Sequence, residues 1–226
     1  GIYHENLTIP SGVALHGIWG ADSTIVLADS FELPVITGDS LHHITSISGL
    51  SLRGSEIGIE LTGNSRPQLF ANVVDSCDTG VVQRDTSVAW IQHNTFADGS
   101  ISVFGLDSLQ VLSHNIFGPG AGAVLVIEPS IEVPDSYFVH TRRNDFYSGG
   151  LYTNPPNLTA NPLLLDPATW DFHPMWLSPC LAVNTLDSTL VGALEFERRF
   201  DLISDTLLFG SPGDTVGVPF LLHHHD

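Results

Sequence analysis

Two rows of residues in this chain have the types and spacing to do chemistry. Asp85, Asp107 and Glu128 each follow a short apolar run in three successive stretches of similar length, with Arg84 beside the first. Ranked carboxylates suit a hard cation such as Ca2+, which takes oxygen ligands. Carboxylates beside an arginine also suit acid–base work on a sugar chain. Arg84, Asp85 and Asp107 are therefore the candidate catalytic residues, and Asp85, Asp107 and Glu128 the candidate Ca2+ ligands. Asp75, Asp78 and Asp98 make a second acidic group. In the other row, His93 and His114 directly precede Asn94 and Asn115, and Arg143 holds the same place before Asn144. Histidine titrates near neutral pH, so these three are candidate ligand-binding or proton-transferring groups. A plainer account stands beside both rows: turns are rich in Asp and other polar residues for conformational reasons alone.

The elements that position these rows follow from one repeated pattern. Phe70-Ala71-Asn72-Val73-Val74, Gln92-His93-Asn94-Thr95-Phe96, Ser113-His114-Asn115-Ile116-Phe117 and Arg142-Arg143-Asn144-Asp145-Phe146 each place an apolar residue two positions after an Asn. The asparagines return after 22, 21 and 29 residues. A period of that length marks a solenoid, whose units bury their apolar edges only by stacking. Within each unit the apolar residues fall in short alternating runs, as at Val81, Val82, Trp90, Ile91, Ile101, Val103, Val111 and Leu112, separated by Gly, Asp, Ser and Pro. That is strand patterning. The expected fold is all-β: a right-handed parallel β-helix, with an insertion around Glu128 to Ser136 behind the one long step. Asn72, Asn94, Asn115 and Asn144 should stack as a hydrogen-bonding ladder, and Phe96, Phe117 and Phe146 as an interior column.

Composition narrows the partners. The 226 residues carry a formal charge of −18, from 25 acidic and 7 basic side chains, and all seven basic ones are Arg. Such a chain repels phosphate, so nucleic acid is excluded as a partner and an anionic membrane is disfavoured. No apolar run reaches membrane-spanning length, so no membrane insertion is expected. No signal peptide opens the chain; Gly1 already lies inside a unit, as if a preceding segment had been removed. Cys77 and Cys180 permit one disulfide and require none, and two buried free thiols are expected.

Residues 1 to 17 resemble the first full coil of pectin-lyase-like β-helix proteins, through Tyr3, Glu5, Leu7, Ile9, Gly12, Val13, Leu15 and Gly17. Gly49-Leu50-Ser51-Leu52 is another phrase of that superfamily. Asn161-Pro162-Leu163-Leu164-Leu165-Asp166-Pro167, Trp170-Asp171-Phe172-His173, Ser178-Pro179-Cys180 and Gly192-Ala193-Leu194-Glu195 resemble a closing segment of bacterial β-helix proteins, which covers the end of the stack. After Glu197 the pattern changes. Asp205 to Gly210 and Thr215 to Leu222, around Ser211-Pro212-Gly213-Asp214, resemble the first two strands of an immunoglobulin-like β-sandwich repeat. They should bury Leu207, Phe209, Val218 and Phe220. Two units are expected: 1–197, the β-helix with its cap, and 198–226, a β-hairpin tail that meets a neighbouring domain of a larger chain or a second copy.

The resemblance implies a secreted or cell-surface bacterial protein with a polysaccharide as its partner. It does not carry the family's catalytic patterns. The adjacent aspartates of polygalacturonase-like enzymes are missing, and the Lys–Arg pair of alginate and chondroitin lyases is impossible without Lys. Only Arg84 with Asp85 and Asp107, or Arg142 with Arg143, imitates the pectate-lyase-like arrangement. The expected role is a non-catalytic module, glycan-binding or structural. A polysaccharide lyase or glycoside hydrolase, and an adhesin stalk or spacer, stand as alternatives.

Overall fold

The computed structural model describes residues 1–105, 111–118, 121–127, 141–142, 144–146, 157–175, 177–181, 190–194, 200–203 and 221–224. Strands from successive coils pair in parallel and build two long sheets, so the chain winds as the parallel β-helix that the asparagine spacing predicts. One sheet has six strands, including Ala14–His16, Ser46–Ser48, Gln68–Phe70, Trp90–Gln92 and Val111–Ser113. The other has eleven. Its strands are long where one coil runs through two sides without a break, as in Ser51–Thr62 and Val73–Gln83. Gly54 (φ 75°) and Ser76 (φ 54°) lie inside those two strands in the left-handed region, which bends each strand around the corner.

Alternation fixes which side chains face inward. Val26, Leu52, Val74, Phe96 and Phe117 hold equivalent register positions, and each is buried. A second inward row runs Ile47, Leu69, Ile91, Leu112, and a third Ile36, Ile59, Val81, Val103. The Phe96 and Phe117 rings stack face to face, with centroids 5.3 Å apart and planes within 5°. Phe146 pairs in register with Phe117.

The asparagine ladder closes the turn between the sheets. Asn72, Asn94, Asn115 and Asn144 are all buried. Each Nδ2 donates to a carbonyl of the preceding coil, on Ile47, Leu69, Ile91 and Leu112 respectively, at 2.8–3.0 Å. Each Oδ1 accepts the backbone N–H of the equivalent residue one coil earlier. These turn N–H groups lie between strands, and leaving them unmet inside the protein would be costly. Asn157 extends the ladder by accepting from the Asn144 N–H at 3.1 Å.

The residues before Asn72, Asn94 and Asn115 are left-handed, Ala71 (φ 53°), His93 (φ 54°) and His114 (φ 57°), and so is Gly49 (φ 67°) before the equivalent Leu50. Gly49 is required there for a second reason. A Cβ would stand 2.7 Å from the Gly17 carbonyl oxygen of the coil beneath. At His93 and His114 the strain is borne by side chains that stack on each other.

The closing segment does more than cover an end. Residues 157 and 158 continue the ladder, and then Leu164, Phe172, Cys180 and Val191 pack with Val73, Ala97 and Ile116 on the outer face of the eleven-stranded sheet. The Gly192 N–H donates to the His114 carbonyl at 2.7 Å, and the Ala193 N–H to Thr95 Oγ1 at 3.0 Å. Sequence patterning places this segment over the stack's end, whereas its apolar residues seal the sheet's flank. Outward positions such as Val73 and Ile116 are apolar because they are covered.

Farther on, Phe200–Ile203 pairs antiparallel with Leu221–His224, in a register symmetric about position 212. The first strand thus begins before the expected Asp205. Leu207, Phe209, the Ser211 to Asp214 turn, Val218 and Phe220 lie outside the described residues.

Candidate functional site

Within the acidic row, Asp85 serves a local turn. Asp85 is itself left-handed (φ 57°), and its Oδ2 accepts the Gly63 N–H of the preceding coil at 2.9 Å. Gly63 (φ 69°) and Ser40 (φ 50°) are left-handed as well, and Asp39 Oδ1 accepts from Thr62 Oγ1 at 2.8 Å close by. Asp85 therefore supplies an acceptor that this turn needs, as Asp does in turns generally. Arg84 points to a different partner: its Nε donates to Glu60 Oε1 at 2.6 Å, an ion pair in which the arginine is about half exposed. The two neighbours do not converge on one point. Asp107 and Glu128 lie outside the described residues, and among the described residues no three His, Cys, Asp or Glu side chains stand close enough to hold a metal ion.

The histidine row does form. The His93 and His114 rings are parallel within 6°, with centroids 4.7 Å apart, and Phe70 meets His93 at 5.2 Å. Their place just before consecutive rungs brings them together, since adjacent coils repeat about every 4.8 Å. Arg143, the third member, lies outside the described residues.

The sequence reading missed the aromatic residues beside this row. Leu69 and Ile91 point inward, so alternation turns Gln68 and Phe70, then Trp90 and Gln92, to the outer face of the six-stranded sheet. Trp90 is 53 % exposed and Phe70 46 %. Trp90 lies opposite Gln68, and Phe70 opposite Gln92. The two aromatic residues are thus diagonal neighbours about 8 Å apart, one strand spacing across and two residues along. The signal was present in the parity of Trp90-Ile91-Gln92, once Ile91 is assigned to the core.

A second cluster was also missed. Arg53 and Asp75, opposite each other in register, are both buried on the outer face of the eleven-stranded sheet, with Nε and Oδ2 3.9 Å apart. The Arg53 guanidinium lies 4.7 Å from the centre of the Trp170 ring, so the closing segment roofs the pair. Burial lowers the Arg53 pKa, opposed by Asp75, and raises that of Asp75, opposed by Arg53 and Ser76. Burial also pushes the Cys77 thiol up to about 12. Comparison with protein-family models, with curated proteins and with solved structures finds no match to this chain.

Proposed function

We propose that this chain is a secreted or cell-surface module of the pectin-lyase-like kind that binds a polysaccharide without cleaving it. The observation that carries this reading is the exposed pair Trp90 and Phe70, set on a flat outer sheet face with the amides of Gln68 and Gln92 beside them. Sugar rings stack their apolar faces on aromatic rings and hydrogen-bond through their hydroxyls, which amide side chains both accept and donate. A rigid sheet keeps such groups fixed, so little ordering entropy opposes binding. The Arg84–Glu60 ion pair and the Asp85–Gly63 turn bond support the absence of catalysis, because two of the three candidate groups are already engaged. The antiparallel pair of Phe200–Ile203 with Leu221–His224 supports reading the tail as the start of an immunoglobulin-like unit of a larger bacterial surface protein.

Affinity electrophoresis through gels containing different polysaccharides tests the binding reading. At least one glycan should retard the protein, and Trp90→Ala should restore free migration. Trp19→Ala removes a ring that is 80 % exposed on the first coil and should change nothing. Retardation unaffected by Trp90→Ala would place the ligand elsewhere. Unsaturated product from pectate or alginate, abolished by Arg84→Ala, would replace binding with catalysis.

A further inference from the structure

The outer face around Trp90 differs from the protein's surface as a whole in one respect: charge. From Ser46 and Ser48 through Gln68 and Phe70 to Trp90 and Gln92, three consecutive coils present two hydroxyls, two amides and two aromatic rings. No Asp, Glu, Lys or Arg interrupts these six outward positions in a chain whose net charge is −18. Two of the nearby cations are committed, and the third, the exposed Arg66, stands at the edge of the face outside the six positions. Arg66, just before the strand Gln68–Phe70, donates through Nε to Asn64 Oδ1 at 3.2 Å. Arg53 is buried under Trp170 on the other sheet, and Arg84 is paired with Glu60.

A uronate or sulfate group brought to these six positions would lose hydration and meet no charged side chain among them, while the acidic protein as a whole repels it. A hydroxyl-bearing sugar meets the opposite situation. Its apolar ring face covers Trp90 or Phe70, and its hydroxyls meet Gln68, Gln92 and the serines, groups that each donate and accept. The diagonal of Trp90 and Phe70 spans adjacent coils, so a ligand touching both crosses from one coil to the next. That calls for a chain of sugars rather than a single ring.

Resting on the glycan-binding reading above, we infer that the Trp90–Phe70 face selects uncharged polysaccharide chains and discriminates against uronate polymers. The probes are hydroxyethylcellulose, galactomannan and starch for the neutral class, with polygalacturonate and alginate for the acidic class. Titration calorimetry at low and at high NaCl reads affinity for each with the full chain. At least one neutral polymer should bind at least tenfold more tightly than either uronate polymer. Its affinity should hold within about twofold between 0.05 and 0.5 M salt, because neither the polymer nor the six outward side chains carry a charge to be screened. Trp90→Ala should weaken that binding tenfold or more, Trp90→Phe should recover part of it, and circular dichroism should show both variants folded. Preference for polygalacturonate or alginate, weakened by salt, would overturn the neutral-chain inference and leave glycan binding intact. Failure of all five polymers to bind would overturn the glycan-binding reading itself.

Discussion

Asn94 is tied to Asn115 twice, since a single oxygen, Asn115 Oδ1, accepts the Asn94 backbone N–H at 2.8 Å and the Asn94 side-chain Nδ2 at 3.1 Å. Asn94 repeats the same double acceptance toward Asn72. Each rung thus depends on the next, and removing one strands the donors of the rung before it. Asn94→Ala leaves the Asn72 N–H without its partner in a dry turn and takes one donor from the Leu69 carbonyl. At about 1–3 kcal/mol for the buried N–H left unmet and about 0.5–1.5 kcal/mol for the lost bond to Leu69, the loss should be about 1.5–4.5 kcal/mol in urea unfolding. A loss below about 1 kcal/mol would mean that water reaches the ladder.

The ring stack beside that ladder gives a second expectation. Phe117 is fully buried and parallel to Phe96. Phe117→Ala should cost about 3–5 kcal/mol, and a double-mutant cycle with Phe96→Ala should show about 0.5–1.5 kcal/mol of coupling. Absence of coupling would show that the stack is only packing between rings that do not sense each other.

The ladder, the phenylalanine column and the histidine row were legible in sequence because each repeats at the coil period. Asn72, Asn94 and Asn115 announce themselves by residue type, and His93 and His114 by position. Relationships that cross between non-equivalent parts of the chain have no period to betray them. Trp170 over Arg53, or Gly192 beside Ile116, depends on where the closing segment lies, which no local pattern encodes. At Arg84 and Asp85 adjacency in sequence was misleading for a different reason. Arg84 and Asp85 are adjacent in sequence, but a left-handed turn residue sends their side chains to different partners.

The buried pair yields a pH prediction with a definite sign. Burial is the larger influence on Asp75 and raises its pKa above the ordinary carboxylate value, with Arg53 opposing. A carboxyl with a raised pKa in the folded state holds its proton more tightly there than in the unfolded chain. Its contribution to stability is present below the ordinary pKa and is lost as pH rises through the raised one. Across the ordinary carboxylate range, from about pH 3 to about pH 7, wild type should therefore lose melting temperature relative to Asp75→Asn. Other carboxylates titrate in both proteins, so the difference between them is the quantity to follow. If wild type instead gains on the variant as pH rises, attraction to Arg53 outweighs burial. Replacing both partners, Arg53→Met with Asp75→Leu, should be neutral or stabilising by up to about 4 kcal/mol, since neither charge is then desolvated.

Both thiols should be silent in the native protein. Cys77 is 2 % exposed and Cys180 is fully buried, each within its own apolar cluster, and neither forms a disulfide. The thiolate is the reactive form, and burial pushes the Cys77 pKa to about 12. Ellman's reagent at pH 8 should label neither residue in the native state and both after denaturation in guanidinium. Rapid labelling of one equivalent in native protein would show that one of the two clusters opens.

The closing segment and the tail should separate cleanly in their effects on stability. Phe172, Cys180 and Val191 are almost wholly buried against Val73, Ala97 and Ile116, and the Gly192 and Ala193 N–H groups fasten the segment to the sheet. Uncovering that flank would expose an apolar strip on a paired sheet, so Phe172→Ala should cost about 3–5 kcal/mol. Gly192→Ala should destabilise as well. Its φ of 99° is strained for any L side chain, and a Cβ there would lie 2.9 Å from Ile116 Cγ1. Ending the chain after Glu197 removes the Phe200–Ile203 and Leu221–His224 pair, which hydrogen-bond to each other in a sheet of their own. That truncation should leave the urea midpoint within experimental error of wild type, and the Phe172→Ala loss should be the same in the truncated and full-length chains. Unfolding on truncation would mean that residues 198–226 complete the β-helix, and the division into two units would be wrong.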